Sequence, residues 1–78
     1  MSEKLNGVKV WTDWASDRGV IAFRSNGVLH VHMFVGVYKA SAMVRDIEAD
    51  GYDVIEMSKS DARQWAQIAK VEGKVFDH

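Results

Sequence analysis

The dipeptide Asn26-Gly27 stands between two runs of β-prone residues, VIAFRS (20–25) and VLHVHMFVG (28–36). Asn-Gly is typical of a two-residue type I′ turn, because both central residues of that turn need a positive φ. The two runs therefore predict a β-hairpin whose register is fixed by the turn, with Ser25 opposite Val28 and Phe23 opposite His30. Directly paired residues share a face, so one face of the hairpin is aliphatic. The other face carries Ile21, Phe23, His30, His32 and Phe34.

The rest of the chain predicts one further strand before the hairpin and two helices after it. GVKVWTDW (7–14) alternates and is rich in β-branched and aromatic residues, as strands are. Residues 39–51 predict a helix that ends at Gly51, and YDVIEM (52–57) predicts a fourth strand. Ser58, with Asp61 three residues later, predicts the start of a second helix over 59–72. The apolar stripe of the first helix consists of Ala40, Met43, Val44 and Ile47.

These elements predict a single α+β domain over residues 1–78 with the order β-β-β-α-β-α. The fourth strand follows a crossover helix, so we expect it to pair in parallel beside the first strand. The result is a four-stranded mixed sheet with both alanine-containing helices packed on its aliphatic face. If Val8 and Val10 join that face, Lys9, Trp11 and Asp13 lie on the histidine face, which is left without a cover. The short tail KVFDH (74–78) is expected to dock on the body through Val75 and Phe76.

Composition narrows the class of protein. The chain has 78 residues, no cysteine, ten basic and eleven acidic side chains, and a formal net charge of −1. A binder of phosphate backbones usually shows a basic field, which this balance lacks. No apolar stretch approaches the roughly 18–20 residues of a membrane span, and no signal-like start is visible. We therefore expect a cytoplasmic protein with no membrane partner.

The predicted topology resembles the first part of the ribonuclease H-like fold, and VWTDWAS (10–16) looks like the first strand of that fold, which ends in a catalytic Asp. The resemblance implies that Asp13 stands for the first of several carboxylates around divalent metal ions. The next acids would be expected near residues 41–43 and 57–59. Those positions hold SAM and MSK, so we predict that the acidic site, and with it nuclease activity, is absent.

His30 and His32 point the same way from one strand, as two metal ligands can. A site needs a third ligand, and Asp13 is the one same-face candidate. We interpret the two imidazoles instead as part of a half-buried sheet face, where their titration near neutral pH would make a contact pH-sensitive. No pattern places a serine beside a histidine, so we predict no catalytic residue, no metal, no cofactor and no enzyme activity.

The uncovered face is the predicted partner-binding surface. Its residues are Trp11, Phe23, His30, His32 and Phe34, and an acidic edge forms a second candidate surface with Asp46, Asp50 and Asp53. An apolar patch of this kind marks an interaction site, unless the tail or the N-terminus folds over it. Our leading hypothesis is a non-enzymatic protein-interaction module that binds a partner protein or forms a dimer. In general character it looks like the small inhibitors or regulators of phages and mobile elements. The alternative is a nucleic-acid-binding module that stacks bases on the aromatic face.

Overall fold

The computed structural model describes residues 7–78 and contains a mixed sheet and two helices. The elements are β1 (Val8–Asp13), β2 (Arg18–Ser25), β3 (Val28–Val35), α1 (Val37–Ala49), β4 (Val54–Glu56), α2 (Lys59–Glu72) and β5 (Lys74–Asp77). The α+β class is therefore confirmed.

The sheet has five strands in the order β4-β1-β2-β3-β5. The hairpin register is confirmed, since Ser25 pairs with Val28 and Phe23 with His30. Asn26 and Gly27 have φ values of 53° and 78°, as a type I′ turn requires. β4 lies parallel beside β1, also as predicted.

The start of α2 and the end of α1 are marked by the residues predicted for them. The hydroxyl of Ser58 accepts a hydrogen bond from the Asp61 N–H at 3.1 Å, and α2 then covers the predicted range. α1 begins two residues earlier than predicted, at Val37, and ends with a Schellman motif around Gly51. In that motif the Tyr52 N–H donates to the carbonyl of Ile47 at 3.3 Å.

The two helices pack on opposite faces of the sheet, so the prediction that both cover the aliphatic face is wrong. α2 lays Ala62, Ala66 and Ala69 on the face of Val20, Ala22, Leu29 and Val31. α1 instead packs on the other face, with Ala40 in the cluster of Val8, Val10, Ile21 and Phe34. Both faces of β2 are apolar, and the apolar stripe of α1 fits either.

The faces of β1 are also the reverse of those predicted. Val10 pairs with Ile21 and Trp11 pairs with Val20, so Val10 lies under α1 and Trp11 lies under α2. Lys9 and Asp13 share the face of Trp11, because side chains alternate along a strand. The four-residue link between β1 and β2 does not fix register as a two-residue turn does.

The C-terminal tail forms a fifth strand, so the prediction of four strands is wrong. β5 pairs in parallel with β3, with Val31 opposite Val75 and His32 opposite Phe76. The sheet thus has a parallel strand pair at each edge, β4 with β1 and β5 with β3, whereas the predicted ribonuclease H-like order contains only the first of these pairs. Within residues 7–78, neither helix has the length and apolar character needed to cross a membrane.

Candidate interaction surface

Six aromatic rings gather where α1 leaves its face of the sheet open, over β3 and β5. We call this group the ring stack. Its members are Phe23, His30, His32, Phe34, Phe76 and His78. The alternation of β3 brings His30, His32 and Phe34 to one side, and the parallel register of β5 adds Phe76 opposite His32.

The rings lie nearly parallel to one another. The ring centroids of Phe34 and His78 are 4.3 Å apart, and those of His32 and Phe76 are 4.6 Å apart, with planes inclined by 9° and 14°. Phe23 continues the row on the β2 side, stacked on His30 at 5.4 Å. Ring faces are therefore turned toward other rings of the stack, and such contacts contribute beyond area burial.

His32 is at the centre of the stack. Its Nδ1 lies 2.7 Å from Nε2 of His78, a hydrogen bond in which one ring donates and the other accepts. Burial, followed by electrostatic repulsion from His78 and His30, lowers the pKa of His32 to about 4. The neutral imidazole is thus the form that the fold favours at neutral pH.

The predicted partner-binding residues do not all reach this surface. Phe23, His30 and His32 do, and each is partly buried. Phe34 is only 5% exposed, because it belongs to the core cluster under α1 and His78 stacks on it. Trp11 lies on the opposite face of the sheet, so these two residues are wrongly placed in the predicted open patch. The patch gains Phe76, which is 38% exposed on the outermost strand.

The acidic edge is separate from the ring stack. Asp46 and Asp50 lie at the C-terminal end of α1, Asp53 lies just before β4, and all three are exposed. β4 and β5 are opposite edges of the sheet, so the acidic edge and the outer strand of the ring stack are far apart in the strand order. A binding role for these three residues stays a prediction.

Asp13 has a structural partner in the loop after β1. Its carboxylate accepts hydrogen bonds from the Ala15 N–H at 3.0 Å and from the Ser16 hydroxyl at 2.7 Å. The bond from Ser16 lowers the pKa of Asp13. Across residues 7–78 there is no group of three or more His, Cys, Asp and Glu side chains arranged to hold a metal ion.

The structure contains a groove beside α2, on the face of the sheet opposite to α1, that was not predicted from the sequence. It runs between one flank of α2 and the ends of β2, β3 and β5, with a volume of about 570 Å³. Four of its lining residues are basic: Arg18, Lys59, Arg63 and Lys70. The sequence does place the basic residues 59, 63 and 70 on one side of a helix. This row of cations predicts a groove only when the side of α2 that packs on the sheet is known.

Comparison of the chain with protein-family models, with curated proteins and with solved structures found no match.

Proposed function

We propose that this protein is a non-enzymatic interaction module that self-associates through β5 and the ring stack. The observation that carries the proposal is the position of Phe76, an exposed aromatic ring on an edge strand, continuous with a row of aromatic side chains. Exposed apolar surface beside an unpaired strand edge favours pairing with another chain. A cytoplasmic inhibitor or regulator that works by occupying a protein surface fits this reading.

The backbone of β5 supports pairing with a second copy. The N–H of His78 donates to Met33 and its carbonyl accepts from Val35, so the backbone of His78 faces β3. In a parallel pair the orientation alternates, and the backbone groups of Val75 and Asp77 therefore face away from the sheet. These groups are available to a further strand.

The sequence of β5 is compatible with antiparallel pairing to itself about a two-fold axis at Val75. Such an axis, perpendicular to the sheet, joins the ring-stack face of one chain to the ring-stack face of the other. It places Val75 of one chain directly opposite Val75 of the other. It also sets Lys74 of one chain beside Phe76 of the other, twice, in a contact that favours a cation over a ring. No like charges are placed directly opposite, so the strand is self-complementary.

The test is the solution mass by light scattering on a sizing column over a concentration series. We expect twice the chain mass of 8.8 kDa for the wild type. Asp77→Pro removes an outward N–H from β5, and we expect a monomer. Glu56→Pro is the matched control: the Met57 N–H donates to Val10, so the neighbouring Glu56 faces outward on the other edge, and we expect the dimer to persist.

A monomeric wild type at about 100 μM would overturn the proposal, because a dimer with a dissociation constant of about 10 μM or less is mostly associated at that concentration. Dimers in both proline variants would overturn the use of β5. Circular dichroism confirms that each variant is folded before its mass is interpreted.

The alternative function, base stacking on this aromatic face, has less support. The faces of the rings are turned toward one another, so few are free for a base. The four basic side chains described above line a groove on the other side of the sheet.

A further inference from the structure

The basic groove beside α2 is a second candidate binding site, and it meets the end of β5 and the ring stack at Phe34, Asp77 and His78. Its cations come from two elements, with Lys59, Arg63 and Lys70 on α2 and Arg18 at the start of β2. Lys59 and Lys70 are eleven residues apart, which corresponds to about 16 Å along a helix. The cations therefore form a line along one wall and not a single point of charge.

The floor of the groove is apolar and partly aromatic. Trp11, Val20 and Met33 line it from the sheet, and Ala62 and Ala66 line it from α2. Trp11 and Met33 are only partly buried, so part of each side chain faces the groove. One carboxylate, Asp77, lies at the β5 end. The volume of about 570 Å³ is within the range of clefts that hold ligands.

Both helices carry charges of both signs, with Lys39 and Arg45 on α1 and Asp61 and Glu72 on α2, but the acidic edge is apart from the groove. The acidic edge, with Asp46, Asp50 and Asp53, belongs to α1 and the approach to β4, on the other side of the fold from α2. None of these three carboxylates lines the groove, whose one lining carboxylate among residues 7–78 is Asp77.

From these features we propose that the groove binds a short stretch of single-stranded nucleic acid. Such a strand has phosphates along one side and flat apolar bases along the other, which matches a cationic wall above an aromatic floor. A peptide of Asp and Glu residues alone would satisfy the cations but has no aromatic ring to stack on Trp11. A lipid surface is flat and does not enter a groove between a helix and a sheet.

The test is fluorescence anisotropy with a labelled twelve-residue oligothymidine at about 50 mM salt, where phosphate contacts are strong. Lys59→Glu combined with Arg63→Glu reverses two charges of the groove, and we expect binding at least about tenfold weaker. Lys39→Glu combined with Arg45→Glu is the matched control: it makes the same change of charge on exposed positions of α1. We expect the control to bind within about twofold of the wild type, as screened charges do.

The salt dependence gives a second readout. Removing two cation–phosphate contacts should reduce the slope of log K against log salt by about 1.4 for a single strand. No binding by the wild type, or equal weakening in both double variants, would overturn the site. Equal competition by an oligoglutamate of the same length would overturn the nucleic-acid assignment. Thermal melts establish that the variants are folded, and the solution mass of each variant separates this site from the dimer.

Discussion

The carboxylate of Asp17 caps α1 from a loop twenty residues earlier in the chain: its Oδ1 accepts a hydrogen bond from the Val37 N–H at 2.9 Å. The residue at the N-cap position itself is Gly36, which has no side chain to offer. The Gly36 N–H also donates to the Asp17 carbonyl at 2.7 Å. The loop between β1 and β2 therefore fixes both the start of α1 and its position against the sheet.

Asp17→Ala should lower the free energy of unfolding by about 2 kcal/mol, since it removes the cap and leaves alanine at a φ of 58°. Asp17→Asn keeps an acceptor and tolerates this φ, so we expect a loss of less than about 1 kcal/mol. Asp17→Gly removes the cap but relieves the backbone, and should fall between the two. Urea unfolding curves measure all three, and an equal loss for alanine and asparagine would contradict the capping role.

Acidification should destabilise the fold through His32. The pKa of this imidazole is about 4 in the fold, against 6.5 when it is unperturbed, because burial and the neighbouring His78 and His30 disfavour its charged form. Between these two values the unfolded chain binds the proton and the folded chain does not, so stability falls as the pH drops from 6.5 toward 4. The loss should be about 1–2 kcal/mol, less than the full shift converts to, because solvent screens a half-buried ring.

His32→Phe tests this assignment, since it keeps an aromatic ring in the stack and removes the titrating group. Lys74 is opposite His30 on the same face. Both proteins contain it, so its charge does not contribute to the difference between their pH profiles. We expect melting temperatures measured from pH 7 to pH 4 to fall less steeply in the variant. Parallel curves for the two proteins would assign the acid sensitivity to other groups.

Gly19 allows α1 to approach β2 closely. A Cβ at this position would lie 2.6 Å from the Cβ of Ala40 on α1, too close for two carbon atoms. Gly19→Ala should therefore cost about 1–3 kcal/mol through overpacking. Ala40→Gly should cost about 1 kcal/mol alone, through helix propensity, but should restore space for the alanine at 19. A double-mutant cycle measured in urea should show favourable coupling, and strict additivity would contradict the close contact.

Gly27 tests the hairpin turn without any packing effect, because nothing lies within 4 Å of a Cβ built there. Gly27→Ala should cost about 1–2 kcal/mol, since alanine disfavours the φ of 78° found at this position. Asn26→Gly should change stability by less than about 0.5 kcal/mol, because glycine also adopts the φ of 53° there. Thermal or urea unfolding of both variants measures the difference, and similar losses in the two would argue against a type I′ turn.

Local signals in the sequence carried most of the element predictions. The register of β2 and β3 follows from a two-residue turn, and the ends of the helices follow from Ser58 and Gly51, because each of these features depends on residues within a few positions. The parallel place of β4 follows from the length of its crossover. These predictions needed no knowledge of tertiary packing.

The predictions that failed depended on packing between distant parts of the chain. The link after Asp13 leaves the facing of β1 open, so Trp11 was assigned to the wrong face. The stripe of α1 fits either apolar face, and the bond between the Val37 N–H and Asp17 that accompanies the observed face joins residues twenty positions apart. The strand character of β5 rests on four residues, and only the space beside β3 gives Phe76 and His78 their partners.

The groove beside α2 and the acidic edge give this nearly neutral chain local electrostatic fields of opposite sign at two places on its surface. A molecule with little net charge is neither attracted nor repelled as a whole by a charged surface, but local fields turn it within the last 10 Å or so of its approach. Polyanions would therefore meet the α2 side first, and basic surfaces would meet the side of Asp46 and Asp53. The fold thus sets the orientation of an encounter before any short-range contact forms.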